Sequence, residues 1–198
     1  MVEKSEVSIS PAGEEFPLPA KDDYEKELAR LEKLATAARR DGMEIVVVMG
    51  VGFVGAVMAA IVADTVGKKG KPSKFVIGCQ RPSPRSFWKI PMLNRGESPI
   101  KAEDPEVDEI VTRTVKEKKT LVATFNSDCL KLADCVVVDV QCDYAKQDLG
   151  DMRTGEADMA ALEATMRTIG DKIPPGCLVL IETTVAPGTT EFVAYQIL

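Results

Sequence analysis

Residues 44–60 read E-I-V-V-V-M-G-V-G-F-V-G-A-V-M-A-A, and they decide the fold. Glu44 opens an apolar, β-branched run that ends at Met49, which predicts a strand buried on both faces of a parallel sheet. A glycine-rich turn of the form G-x-G-x-x-G follows at once, and the apolar residues after it predict a helix over residues 54–66. A strand, a glycine turn and a helix in direct succession are the context in which this motif indicates a dinucleotide-binding site.

The glycines of this turn have distinct expected roles. Gly50 permits the tight turn, Gly52 lets the backbone approach a pyrophosphate, and Gly55 lets the helix pack closely on the strand. The pyrophosphate would lie at the helix N-terminus, beside Phe53 and Val54, where free N–H groups and the helix dipole favour negative charge. The alternative is a glycine-rich turn that binds no ligand.

Downstream of the turn, segments with strand character alternate with segments of helical periodicity. Strands are predicted at residues 74–77, 120–124, 135–140 and 178–182, and helices at residues 83–93, 105–118, 157–169 and from 189 onward. Strands that alternate with helices form a parallel sheet covered on both faces. We therefore expect an α/β fold, a Rossmann-like doubly wound parallel sheet, in a dinucleotide-binding domain over residues 43–198.

The N-terminal part has a different pattern. Residues 1–20 contain three prolines, a glycine and several charges, which predicts a flexible arm. Residues 21–42 predict a helical extension whose apolar face carries Tyr24, Leu28 and Leu31. This helix either packs against its own domain or contacts a partner, so a homo-oligomer stays open.

Composition excludes several classes of function. Lys and Arg number 25 and Asp and Glu 31, so the net charge of -6 argues against a nucleic-acid partner. We expect no membrane span and no signal peptide, hence a cytoplasmic protein. The chain has no histidine, and its five cysteines form no C-x-x-C pair. We therefore expect no metal site, and a catalytic Ser–His or Cys–His dyad within the chain is excluded.

The ribose end of the cofactor should lie after the second strand, where a typical NAD site has an acidic residue. This chain has Cys79, Gln80 and Arg81 there, and no carboxylate. Gln80 can still bond the ribose, whereas Arg81 or Arg85 can meet a 2′-phosphate. The sequence therefore leaves NAD and NADP as alternatives.

A third polar segment follows the last predicted strand. Glu182, Thr183 and Thr184 come at its carboxyl end, where α/β proteins bind ligands. The alternative is an ordinary cap of the helix that begins at about Thr189.

Three blocks together resemble the N-terminal domain of the UDP-glucose/GDP-mannose dehydrogenase family. They are the glycine turn, residues 93–100 (L-N-R-G-E-S-P-I) and residues 182–190 (E-T-T-V-A-P-G-T-T). The resemblance implies an NAD-dependent enzyme that oxidises the C6 alcohol of a nucleotide-sugar to a carboxylate by two hydride transfers. It also implies that Thr184 contacts the cofactor and that Glu182 assists proton movement or positions water.

The resemblance implies that much of the enzyme is missing from this chain. The family's nucleophilic cysteine and its lysine, asparagine and aspartate partners come from central and C-terminal parts. We therefore expect the cofactor half only, which is not competent alone. The family also has V-P-T-P or V-G-T-P after the fourth strand, where this chain has Val140 and Cys142, so a thiol replaces the threonine hydroxyl. A non-catalytic dinucleotide-binding or sensor module is the alternative.

Overall fold

The structure, a computed structural model, describes residues 6–68, 70–145 and 155–198. The strands are β1 (Val7–Ile9), β2 (Glu15–Pro17), β3 (Glu44–Met49), β4 (Lys74–Cys79), β5 (Leu121–Thr124), β6 (Cys135–Val138), β7 (Asp143–Ala145), β8 (Glu156–Asp158) and β9 (Leu178–Ile181). The α-helices are α1 (Lys21–Arg40), α2 (Gly55–Asp64), α3 (Lys89–Asn94), α4 (Glu106–Thr112), α5 (Ala160–Gly170) and α6 (Tyr195–Ile197). Two π-helical turns, Arg113–Glu117 and Thr190–Ala194, and the 3₁₀ helix Ser127–Leu132 complete the helical segments.

The central sheet has five parallel strands in the order β5-β4-β3-β6-β9. β3 lies in the middle, with Val48 opposite Gly78 of β4 on one side and Val137 of β6 on the other. The chain moves outward from β3 to β5 and then returns to build the other half of the sheet from β6. The predicted Rossmann-like, doubly wound parallel sheet is confirmed.

Each face of the sheet carries its own apolar core. On one face, Val46, Val48 and Val76 pack against the small residues of α2 and against residues of α3 and α4. On the other face, Ile45 and Val47 pack with residues of α1 and α5. β3 is buried on both faces because alternate side chains point to opposite sides of a strand. The continuous apolar run in the sequence has this physical cause.

The helix α1 is a layer of this domain. Leu31, Ala35 and Ala38 are buried in the same core as the sheet. Arg39 donates hydrogen bonds to the carboxylate of Asp134 and to the carbonyl of Leu132, each over 2.8 Å. Of the two alternatives left by the sequence, the apolar face of α1 packs against its own domain.

Residues 7–17 differ from the flexible arm predicted for residues 1–20. β1 and β2 pair as an antiparallel hairpin, with Ser8 opposite Phe16. The Ser8 side chain is fully buried, and its hydroxyl donates to the carbonyl of Pro84 over 2.8 Å. Glu14 forms an ion pair with Arg95. These contacts join residues about eighty positions apart, so local composition could not reveal them and predicted a flexible arm instead. Residues 1–5 of the predicted arm lie outside the described residues.

Several predicted helices are shorter in the structure. The segment predicted as a helix over residues 83–93 is helical only from Lys89 to Asn94, and turns precede it. The helix predicted over residues 157–169 begins at Ala160, because residues 156–158 form β8 and pair with β7. Within the described parts of the chain, no helix is both long enough and apolar enough to cross a lipid bilayer.

Candidate functional site

The carboxyl ends of β3 and β6 meet at the point where the strand order reverses. Open α/β sheets bind ligands in the crevice at such a switch point. Gly50 follows β3 directly, and Asp139 follows β6 directly. The glycine turn and the end of β6 therefore form the two sides of one crevice.

Two glycines of the turn are required by the fold itself. Gly50 has φ +98°, and a Cβ on it would lie 2.3 Å from the Asp139 carbonyl oxygen. A Cβ on Gly55 would lie 1.9 Å from the Gly50 carbonyl oxygen and 2.8 Å from Oδ2 of Asp139. All three distances are far below van der Waals contact, so a side chain at either position forces the turn, the helix or the end of β6 to move.

Gly52 is different, because the fold does not require a glycine there. A Cβ on Gly52 would meet no atom within 4 Å, and its φ is not positive. The N–H groups of Gly52, Phe53 and Val54 have no hydrogen-bond acceptor in the described residues. This open space with free N–H groups at the start of α2 fits a pyrophosphate. Phe53 and Val54 are 72% and 50% exposed, so neither side chain fills a core.

The end of β4 is bonded to the same turn. The Gly50 N–H donates to the Cys79 carbonyl over 2.8 Å, and the Val51 N–H donates to Oε1 of Gln80 over 3.1 Å. Gln80 therefore lies against the glycine turn, and its contact with a ribose stays a prediction. The Cys79 side chain is buried in the core, so only its backbone faces the turn. Arg81 is exposed at the start of the following loop.

The third polar segment lies beside β6. The Glu182 and Thr183 N–H groups both donate to the Val138 carbonyl, over 3.0 and 3.2 Å. The Thr183 hydroxyl donates to the carbonyl of Val140 over 2.6 Å, so it joins the ends of β9 and β6. Glu182 and Thr184 are exposed. The structure thus gives Thr183 a structural hydrogen bond and leaves Glu182 and Thr184 accessible.

Cys142 lies in the loop between β6 and β7, directly before β7. Its thiol donates to the sulfur of Met159 over 3.6 Å, at the residue that precedes α5. The thiol therefore contacts the start of α5. In the described residues, no group of three His, Cys, Asp or Glu side chains is arranged to hold a metal ion.

Asp139 is the site residue that sequence reasoning missed. Its Oδ2 is buried and has no hydrogen-bond partner in the described residues. Burial, and secondarily the charge of Glu182, raise the pKa of the Asp139 carboxyl above its ordinary value of 3.8. The signal was present in the sequence, since a carboxylate follows directly after the apolar run of β6.

The middle block of the resemblance has a structural role in this chain. The Asn94 carboxamide donates to the Ala123 carbonyl over 2.9 Å and accepts from the Ala123 N–H over 2.7 Å. Ala123 belongs to the edge strand β5, so Asn94 pairs with the free edge of the sheet. The Ser98 hydroxyl donates to the Ile100 carbonyl over 2.9 Å and shapes the turn that follows.

The fold, the open turn at Gly52 and the switch-point crevice define a dinucleotide-binding Rossmann domain. The profile of the UDP-glucose/GDP-mannose dehydrogenase family, NAD binding domain, matches residues 43–198. The chain belongs to this family, so its cofactor is NAD and the family resemblance is confirmed. No curated protein matches the chain.

Solved structures of nucleotide-sugar dehydrogenases resemble the chain. NDP-N-acetyl-D-galactosaminuronic acid dehydrogenase from Methanosarcina mazei Go1 is 37% identical with TM-score 0.67, over 84% of this chain and 32% of its own. GDP-mannose dehydrogenase from Pseudomonas aeruginosa is 25% identical with TM-score 0.60, over 77% and 31%. UDP-D-ManNAc dehydrogenase from Pyrococcus horikoshii is 26% identical with TM-score 0.59, over 77% and 31%. The chain spans about a third of the length of these proteins.

Proposed function

We propose that this chain is the cofactor-binding part of an enzyme that oxidises the C6 alcohol of a UDP- or GDP-sugar to the uronate in two hydride transfers. Family membership and the named relatives, all dehydrogenases, support the reaction class. The main support for the cofactor site is the open space at Gly52. The fold would tolerate a side chain there, whereas a bound pyrophosphate would clash with one.

Each group of the site has a proposed task. The N–H groups of Gly52, Phe53 and Val54 bind the pyrophosphate at the start of α2. The Gln80 carboxamide, held by the Val51 N–H, bonds the adenosine ribose. NAD, when bound, accepts the hydride from the sugar alcohol.

The end of β9 serves the reacting side of the cofactor in this proposal. Thr184 is exposed and its hydroxyl has no hydrogen-bond partner among the described residues, whereas the hydroxyl of Thr183 is engaged with Val140. Glu182 is also exposed, and its carboxylate can accept a proton or hold a water molecule beside the reacting alcohol. We propose that Thr183 acts by fixing the position of these two neighbours.

The chain alone does not complete the reaction in this proposal. The resemblance assigns the nucleophilic cysteine to the central and C-terminal parts of the family. The chain spans about a third of the length of the relatives, which is consistent with a cofactor half. We expect no turnover of a UDP- or GDP-sugar by this chain alone.

A non-catalytic dinucleotide-binding module is the second candidate, and Cys142 favours it. The thiol stands where the resemblance places a threonine hydroxyl, and it contacts Met159. Restoring the hydroxyl with Cys142→Thr separates the two candidates when a catalytic part of the family is supplied in trans. Turnover that rises with the threonine supports the enzyme, and no turnover with either residue supports the module.

Calorimetric titration with NADH tests the cofactor site. Wild-type chain should release or absorb heat on binding, and Gly52→Ala should weaken binding at least about tenfold, because its methyl group occupies the space of the pyrophosphate. Gly67→Ala is the matched control, since a Cβ there makes only ordinary contacts of 3.6 Å or more. No heat with wild type, or equal affinity in Gly52→Ala, contradicts the proposed site.

A further inference from the structure

The segment around β4 has a charge unlike that of the rest of the chain. Residues 65–96 contain five lysines and three arginines and no acidic residue, although the whole chain has net charge -6. Lys68 and Lys71 lie before β4 and Lys74 is its first residue, at the amino end of the sheet. Arg81 and Arg85 follow its carboxyl end, on the side of the glycine turn. Two arginines thus follow the strand whose carboxyl end is bonded to the glycine turn.

These two arginines are available to a ligand. Both are exposed, and neither forms an ion pair with a carboxylate of the described residues. The residue before them, Gln80, is neutral and contacts the Val51 N–H. An acidic residue at this position accepts bonds from both ribose hydroxyls and repels a 2′-phosphate, whereas an arginine nearby accommodates that phosphate.

The loop also holds hydroxyl groups in a fixed arrangement. The hydroxyls of Ser83 and Ser86 are 2.8 Å apart, and the Ser86 hydroxyl donates to the Arg81 carbonyl over 3.2 Å. The Gln80 Nε2 donates to the Ser86 hydroxyl over 3.4 Å. The loop therefore folds back on its own start, and these bonds fix the backbone at Arg81, next to Gln80.

The N-terminal hairpin fixes this loop from the other side. The buried Ser8 hydroxyl donates to the Pro84 carbonyl over 2.8 Å and accepts from the Trp88 N–H over 3.1 Å. The Trp88 indole N–H donates to the Arg85 carbonyl over 3.0 Å. Since the backbone at Arg85 is held before a ligand arrives, less conformational freedom is lost on binding.

We infer that the loop from Gln80 to Ser86 binds the 2′-phosphate of an NADP-type nucleotide, with Arg81 and Arg85 as the residues that meet it. The domain then takes NADP(H) as well as NAD(H). This inference rests on the proposed dinucleotide site and adds a specificity element to it. Arginine matches the geometry of a phosphate through paired N–H donors.

Calorimetry on the 198-residue chain with four probes tests the inference. NADH and NADPH report the whole site, and 5′-AMP and adenosine 2′,5′-bisphosphate isolate the 2′ position. With wild type, we expect the 2′-phosphorylated member of the second pair to bind about 10- to 100-fold more tightly, the size of a charge-assisted hydrogen bond.

Three variants assign the effect to residues. The double substitution Arg81→Ser, Arg85→Ser should remove the preference for the 2′-phosphate and leave NADH affinity within about twofold. Gln80→Glu keeps an acceptor for the Val51 N–H and adds a negative charge, so it should weaken the binding of NADPH more than the binding of NADH. Arg40→Ser is the control for loss of an arginine away from the site, because Arg40 is exposed at the end of α1, on the amino side of the sheet.

The outcomes separate this inference from the proposed function. If NADH binds and the 2′-phosphate gives no gain in wild type, the inference fails and the proposed function stands. A gain that persists in the double variant, or disappears in Arg40→Ser, also overturns the assignment to Arg81 and Arg85. If neither dinucleotide binds, both proposals fail.

Discussion

Alanine in place of Gly55 should lower the melting temperature of the chain in the absence of any nucleotide. The new Cβ would lie 1.9 Å from the Gly50 carbonyl oxygen and 2.8 Å from Oδ2 of Asp139. Ordinary contact is about 3.5 Å, so the first distance must grow by about 1.5 Å. The first obstacle is backbone and the second belongs to a buried carboxylate, so neither gives way by a simple side-chain rotation.

Overpacking of this kind costs about 1–3 kcal/mol. For a chain of this length each kcal/mol shifts the melting temperature by about 2–4 °C, so Gly55→Ala should melt about 2–12 °C below wild type. Scanning calorimetry or far-ultraviolet circular dichroism during heating measures the shift.

The matched control is the neighbouring glycine. A Cβ on Gly52 would meet no atom within 4 Å, so Gly52→Ala should melt at or slightly above the wild-type temperature. A small rise is expected because alanine restricts the unfolded chain more than glycine does. The reasoning is refuted if Gly55→Ala melts with wild type, or if both variants lose the same stability.

Three further perturbations test the packing and the charges. Asp64 pairs with Arg113 and Lys118, which lowers the pKa of its carboxyl from 3.8 to about 2. The stabilisation of the folded state by the ionised Asp64 carboxylate is complete above pH 3.8 and is lost as the pH falls toward 2. Asp64→Ala should therefore lower the unfolding free energy at pH 7, measured by urea denaturation, by about 1 kcal/mol after solvent screening. The pKa of Asp139 is raised, so wild-type stability should fall as the pH rises from 3.8 through the raised value, and Asp139→Asn should abolish this slope in urea titrations. Ser8→Ala removes a buried hydroxyl with two hydrogen bonds and should cost about 1–3 kcal/mol, and no change in urea midpoint would contradict the docking of the hairpin.

The parts of the fold that follow local patterns could be predicted from the sequence. The apolar run of β3 and the glycine turn after it appear in the structure where the sequence indicated them. Helix α2 was predicted to end at residue 66, whereas its last helical residue is Asp64, two residues earlier. Buried strands and apolar helix faces are determined by short-range periodicity, and this is why the order of elements was predicted well.

Other features depend on contacts between distant residues and gave no local signal. The hairpin of β1 and β2 is held by Ser8 against residues 84–88, so composition alone predicted an arm. Pairing of β7 with β8 likewise shortened the predicted helix at residues 157–169. The carboxylate of Asp139 is visible in the sequence after the apolar run of β6, but its position beside Gly55 follows only from the fold. Tertiary contacts override local preference at each of these positions.

The glycine turn joins both kinds of information. Gly50 and Gly55 are explained by the fold, because a side chain at either would strike β6 or the turn itself. The fold gives no reason for Gly52, whose surroundings leave room for a side chain. Two of the three glycines of the motif are therefore required by the fold. Only Gly52 is not, and so only Gly52 indicates a ligand. The specificity of that ligand then depends on the loop after β4, where Gln80 replaces the acidic residue and Arg81 follows it.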